Sequence, residues 1–188
     1  HPSHRSYNVP FFSGIPYRIG FKTEFPFLLT QSVPDRRHEG LKHESDYTLD
    51  IVRAFGIQDT DGLLPVITVS KYDELKLSRI LTSEGLGEQE KVIAFHPGAS
   101  CVSKKWPVER FALLGKKLLA ETPYRFVIVG GPEEAVLGEY LKKEWGDRAV
   151  DLMGRLDLKM LAALLKRSEL LVSNDSGPIH VAAAVGTR

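Results

Sequence analysis

Cysteine is nearly absent from this chain: Cys101 stands alone among 188 residues. One thiol cannot close an internal disulfide, and that usage favours a reducing compartment. Excess charge is missing too. With 25 Lys and Arg against 24 Asp and Glu the formal net charge is +1, which excludes a nucleic-acid binder working through bulk positive charge but leaves room for local clusters. No apolar run approaches the roughly 18 residues of a membrane span, and no charged-then-apolar signal segment opens the chain. Apolar residues at 43% and charged residues at 26% are ordinary globular usage, against disorder, collagen-like repeats or coiled-coil arrays. At roughly 100–200 residues per domain, the length suits one domain, or one domain plus part of another. The chain opens at His1 without a methionine and stops at Arg188, just behind an apolar small-residue run. Both ends are expected to cut through structure, making this an internal slice of a longer protein.

Two stretches of different character follow one another. Residues 1–65 are rich in Pro, His and aromatics, with short periodic pieces: a turn at Gly14-Ile15-Pro16, a short strand over 17–21, and helical apolar spacing over 46–55 that Gly56 can stop. Residues 59–90 hold turns, the apolar Leu63-Leu64-Pro65-Val66-Ile67 and charged stretches without a strong period, so 66–90 is expected to be a linker region. From residue 91 to 188 the pattern becomes regular. Continuous apolar runs at 92–95, 126–129, 149–152 and 170–173 each end in a polar, glycine-bearing loop and are followed by helical spacing. The first of these helices opens at Trp106-Pro107, the second spans 133–145 with acids in its first turn, the third runs from the N-cap Asp157 to residue 166, and the last ends at 185. Strand, loop and helix repeated four times predict a parallel sheet with right-handed crossovers. Runs that do not alternate predict strands covered on both faces, hence a doubly wound α/β domain.

In such a sheet the strand-to-helix loops share one edge, where ligands bind. The four loops are His96-Pro97-Gly98-Ala99-Ser100, Gly130-Gly131-Pro132-Glu133, Met153-Gly154-Arg155-Leu156 and Asn174-Asp175-Ser176-Gly177-Pro178-Ile179-His180, with Lys104 and Lys105 trailing the first. Together they describe an anion and polyol site suited to a nucleotide diphosphate. In the last loop Ser176 offers a hydroxyl, Gly177 permits close approach, and the following helix presents unpaired N–H groups. Asp175 would repel a phosphate, so it is expected to accept backbone N–H bonds or a sugar hydroxyl. The plainer alternative is that Asp-Ser-Gly-Pro merely caps a helix.

Other signals carry less. Asp59-x-Asp61 beside Gly62 reads as a solvated turn rather than a metal site. His38 and His43 are five residues apart, one too many for a zinc pair on one helix face. Gly85-x-Gly87 precedes a strand instead of following one, and no Gly-x-Gly-x-x-Gly follows any strand, which leaves a dehydrogenase a weak rival. Nothing pairs Cys101 with a base. Trp106 and Phe111 read as core packing under their helix. His96 and His180 are each either buried and hydrogen-bonded or in contact with ligand. Arg36, Arg37 and Lys42 form either a solvated loop or an anion-recognition group.

The strings His96-Pro97-Gly98-Ala99-Ser100 and Lys104-x-Trp106-Pro107-x-Glu109-Arg110-Phe111 closely resemble the lipopolysaccharide heptosyltransferase family, the ADP-heptose-dependent enzymes of glycosyltransferase family 9. So do Gly130-Gly131-Pro132-Glu133, the stretch 158–165, and Asn174-Asp175-Ser176-Gly177-Pro178-x-His180-x-Ala182-Ala183-Ala184. Gly14-Ile15-Pro16-Tyr17-Arg18-Ile19-Gly20 and Lys42-His43-Glu44 are similar to that family's amino-terminal domain, and the second-heptose enzymes are the most similar branch. The resemblance implies a GT-B fold. Residues 1–65 would be a remnant of the Rossmann-like acceptor domain, and 91–188 a truncated Rossmann-like nucleotide-binding domain. It implies inverting transfer of L-glycero-D-manno-heptose from ADP-heptose to the lipid-linked inner core of lipopolysaccharide, without a metal or other cofactor and without nucleic acid. A cytoplasmic protein visiting the inner membrane from its cytoplasmic face would do this.

Carried over position by position, Ser100 and Lys104 contact the diphosphate, and Lys104 acts catalytically by stabilising the leaving group. Glu133 contacts the ribose, Leu156 lies in the loop expected to hold adenine, and Asp175, Ser176, Gly177 and His180 line the diphosphate-sugar end. The family's general-base aspartate falls upstream of residue 1, and its last strand and closing helix fall beyond Arg188. The chain is therefore expected to bind ADP weakly and not to turn over. Rival expectations are a related transferase using another ADP- or UDP-linked sugar, and a catalytically silent nucleotide-binding module.

Overall fold

The computed structural model describes residues 4–22, 25–60 and 62–188. The chain separates into two compact units, His1–Leu64 and Pro65–Arg188. Asp61, half of the Asp-x-Asp pair, lies outside the described residues.

In the first unit, strand β1 (Ile19–Phe21) runs parallel to β2 (Gln31–Val33), flanked by helices α1 (His4–Phe12) and α2 (Glu44–Ala54). His43 caps α2 by accepting from the Ser45 backbone N–H, and Phe21, Leu28 and Tyr47 form the buried centre. The basic group is largely neutralised within the unit. Arg37 pairs with Asp35 at 2.6 Å and lies over the Phe21 ring, while Lys42 pairs with Asp50 at 2.7 Å.

The second unit is built on four parallel strands, β3 (Val92–His96), β4 (Arg125–Ile128), β5 (Ala149–Asp151) and β6 (Leu170–Ser173), in the order β5-β4-β3-β6. β3, β4 and β5 are buried on both faces and their successive residues serve different cores, whereas β6, at the sheet edge, is only partly covered, against the expectation of four fully covered strands. Ile93, Phe95, Phe126 and Ile128 pack with Phe111 of helix α4 (Val108–Glu121) and with Leu141 and Trp145 of α5 (Ala135–Trp145). Val92, Val127, Val150 and Leu152 pack on the opposite face with Leu164 of α6 (Leu158–Arg167) and with Leu77 and Leu81. Fully burying side chains of this size contributes roughly 1.5–3 kcal/mol each.

Leu77 and Leu81 belong to α3 (Lys71–Ser83), a helix that the sequence analysis did not foresee inside the expected linker. Ser70 caps it by accepting from the Asp73 backbone N–H. Its inward residues complete the core against α6, so tertiary burial fixes a segment whose charged outer face masks the period. The last helix, α7 (Gly177–Val185), follows β6. Among the described residues no helix is long and apolar enough to cross a membrane.

Candidate functional site

The strand order places a topological switch between β3 and β6. From β3 the chain steps outward through β4 to β5, then returns to β3's other side as β6. The loops leaving β3 and β6 flank this switch, the edge at which ligands bind in open α/β sheets. One cavity of about 290 Å³ draws on all four loops: His96, then Gly130 and Gly131, then Leu156, Asp157 and Leu158, then Pro178. A larger cavity, about 550 Å³, lies within the first unit beside Arg18 and Phe21. Size does not favour it, because its Arg18 side chain is already committed to the Leu28 and Ile15 carbonyls.

Two of the loops are clasped by one buried amide. Asn174 donates from Nδ2 to the carbonyls of Pro97 at 2.7 Å and Gly98 at 3.3 Å, and its Oδ1 accepts from the Trp106 backbone N–H at 3.0 Å. The long loop after β3 is thus pinned at both ends against the loop after β6. Phe111 is core, but Trp106 is 44% exposed and meets Phe111 edge-on, so only one of that pair packs as expected.

Lys104 Nζ lies 2.6 Å from Asp175 Oδ2. The pair raises the lysine's pKa and lowers the aspartate's. Asp175 was expected to accept from backbone N–H groups or a sugar hydroxyl, but here the nearest cation holds it. Ser100 is exposed at the outer part of the same loop. Ser176 is the N-cap of α7 in extended geometry, yet its side chain makes no cap bond to the helix. Its hydroxyl lies instead 3.1 Å from His96 Nδ1 and 3.0 Å from Ser173 Oγ. The capped-start alternative therefore does not hold at the side-chain level. A Cβ built on Gly177 would meet nothing within 4 Å, so the head of α7 faces open space. His180 is exposed on α7, whereas His96 is buried and hydrogen-bonded.

The second loop holds a residue the sequence analysis missed. Glu133 is exposed and folds back over Gly131, while the next residue, Glu134, turns inward. Its carboxylate accepts from the Gly131 backbone N–H at 3.2 Å and faces His96 Nε2 at 3.6 Å. It packs so closely on Gly98 that a methyl there would overlap it. The two adjacent acids lie in the short 3-10 turn at Pro132–Glu134, and the Gly131 N–H and His96 engage the second of them. Leu156 lines the cavity and packs against the α3 and α6 core. Asp157 caps α6 through the Met160 backbone N–H at 2.8 Å. Among the described residues no cluster of three or more His, Cys, Asp or Glu is arranged to hold a metal ion.

A parallel sheet with its loops gathered at a switch point and a helix N-terminus facing open space is an architecture that can receive an anionic ligand. The sequence profile of glycosyltransferase family 9 (heptosyltransferase) matches residues 3–188, and the chain belongs to that family. It is 29% identical over 194 residues to lipopolysaccharide heptosyltransferase 2 of Escherichia coli strain K12, covering 97% of this chain and 55% of that protein. The crystal structure of a glycosyl transferase family 9 member from Veillonella parvula superposes with a TM-score of 0.85 at 26% identity, over all of this chain and 53% of that one. E. coli ADP-heptose LPS heptosyltransferase II superposes with a TM-score of 0.79 at 26% identity, over 97% of this chain and 57% of that one. The fold class is α/β of the GT-B type. The chain spans about half the length of the relatives it matches.

Proposed function

We propose that this chain supplies the donor-nucleotide site of an inverting heptosyltransferase, which moves heptose from ADP-heptose to the inner core of lipopolysaccharide. The observation that carries this is the convergence of four strand-to-helix loops on one cavity at the β3/β6 switch, in a family member whose relatives are named for that reaction. Transfer from a nucleotide sugar expels a diphosphate, and charge gathers on its oxygens as the glycosidic bond breaks. The Lys104 ammonium and the head of α7 at Gly177 answer that charge, so the protein needs no metal there. Ser100 adds a hydroxyl to the diphosphate and Glu133 reaches the ribose. The backbone around Leu156 reads the adenine, while Asp175, Ser176 and His180 line the sugar end. For Lys104 to reach a phosphate it exchanges Asp175 for the ligand, which frees Asp175 to accept a sugar hydroxyl.

The acceptor is lipid-linked, so a cytosolic enzyme meeting the inner leaflet fits the reaction. Titration of the chain with ADP, UDP and GDP tests the donor assignment. ADP is expected to bind most tightly, and a clear preference for UDP would reject the heptose donor.

A further inference from the structure

The imidazole of His96 ends the central strand β3 beneath the head of α7, with 9% of its side chain exposed, and both ring nitrogens face other elements. Nδ1 is 3.1 Å from Ser176 Oγ and 3.4 Å from Ser173 Oγ. Nε2 faces Glu134 Oε2 at 3.6 Å. Ser176 also lies 3.1 Å from the Asn174 carbonyl oxygen, to which its hydroxyl can donate. A hydroxyl has one proton to give. Committed inward, to that carbonyl or to Nδ1, it leaves only lone pairs for an arriving phosphate, and these repel it. Turned outward to a phosphate oxygen, it leaves Oγ to accept from within, where Nδ1–H is in reach. An imidazole protonated on Nδ1 alone would then set its Nε2 lone pair against the Glu134 carboxylate. Protonation of both nitrogens satisfies Ser176 and Glu134 together.

We propose that His96 is a positioning residue that takes up a proton as the diphosphate binds, donating from Nδ1 to Ser176 and from Nε2 to Glu134, so that the Ser176 hydroxyl swings toward the phosphate. This rests on the donor-nucleotide reading above. The groups around the ring are the Glu134 carboxylate from the loop after β4 and the uncharged hydroxyls of Ser173 and Ser176 from β6 and α7. Asp157, at the head of α6, lines the same cavity. In the empty site burial lowers the imidazole pKa below its ordinary value, and the pull of Glu134 only partly opposes this. A bound diphosphate adds negative charge beside the ring and moves that balance toward the charged form.

Calorimetric titration of ADP into the chain near pH 7, repeated in buffers of different ionisation enthalpy, counts the protons exchanged. The wild type is expected to take up more protons per ADP than His96→Asn, by a sizeable fraction of a proton. The asparagine amide still donates to Ser176 but cannot become charged. Its ADP affinity is expected to stay flat with pH relative to the wild type, whose advantage falls by up to roughly tenfold per pH unit as pH rises. Equal proton counts in the two proteins overturn the role of His96 and leave the nucleotide reading standing. Failure of ADP to bind the wild type overturns both. If the variant does not fold, NMR titration of the wild-type ring decides: a higher imidazole pKa with ADP bound is expected, and an unmoved one refutes the proposal.

Discussion

Gly177→Ala separates what the fold requires from what a ligand requires. Gly177 opens α7 without a positive φ, and an added methyl meets nothing within 4 Å. Nothing in the fold calls for glycine there, and alanine is favoured in a helix by up to about 1 kcal/mol. In a helix each Cα–Cβ bond leans toward the N-terminus, so the methyl would stand ahead of α7, in the space where a phosphate reaches the first N–H groups. A hydrogen bond from backbone to a charged phosphate contributes about 1.5–3 kcal/mol, and losing it weakens binding by roughly ten- to a hundredfold. Scanning calorimetry and ADP titration on the same sample check both halves. The expected variant melts at the wild-type temperature or a few degrees above it and binds ADP at least about tenfold more weakly. A stable variant with wild-type ADP affinity would refute the placement of the diphosphate at the head of α7.

Lys104→Ala removes an exposed, solvent-screened ion pair with Asp175, so the denaturation midpoint should barely move while ADP affinity falls by roughly ten- to a hundredfold; denaturant melts and titration report the two effects. Gly115→Ala should act the other way. Its methyl would lie 2.5 Å from Trp145 Cζ2 and closer still to the indole nitrogen, which donates to the Ala112 carbonyl at 3.1 Å. Overpacking a rigid ring costs about 1–3 kcal/mol and a strained hydrogen bond about 1 more, against about 1 gained in helix propensity, so the melting temperature should drop by several degrees. A variant as stable as wild type in calorimetry would contradict that contact. For pH, His96 is held below its ordinary value in the fold, so the unfolded chain binds more protons just below pH 6.5 and stability falls as pH falls through that window. Urea melts at about pH 7.5 and pH 5.5 should differ more in wild type than in His96→Asn, and equal differences would argue against a neutral buried ring.

The four strands, the loops that end them and the helix cap at Asp157 were legible, because continuous apolar runs and capping residues are local signals. Helix α3 was not foreseen, although Ser70-x-x-Asp73 and the spacing of Leu77, Ile80 and Leu81 carry a helical signature. Lysine and glutamate between those positions hide it, and its partner α6 lies about eighty residues onward. At the site, sequence identified the loops but not their internal pairings. The approach of Ser176 to His96 spans eighty residues. The engagement of Glu134 rather than Glu133 rests on the Gly131 N–H and on His96 at the end of β3. The engagement of Asp175 by Lys104 depends on two loops that meet only in the folded chain. Asn174 was read as part of a loop, and nothing local announces that its amide reaches across to the β3 loop.

That amide has a consequence for how the β3 loop can change over time. Fastened at Pro97, Gly98 and Trp106, the β3 loop keeps its two anchor points while the exposed residues between Ser100 and Lys104, from Cys101 to Ser103, can vary. Substitutions can therefore be tried on that arc without loosening the scaffold, whereas losing Asn174 would set both ends adrift at once.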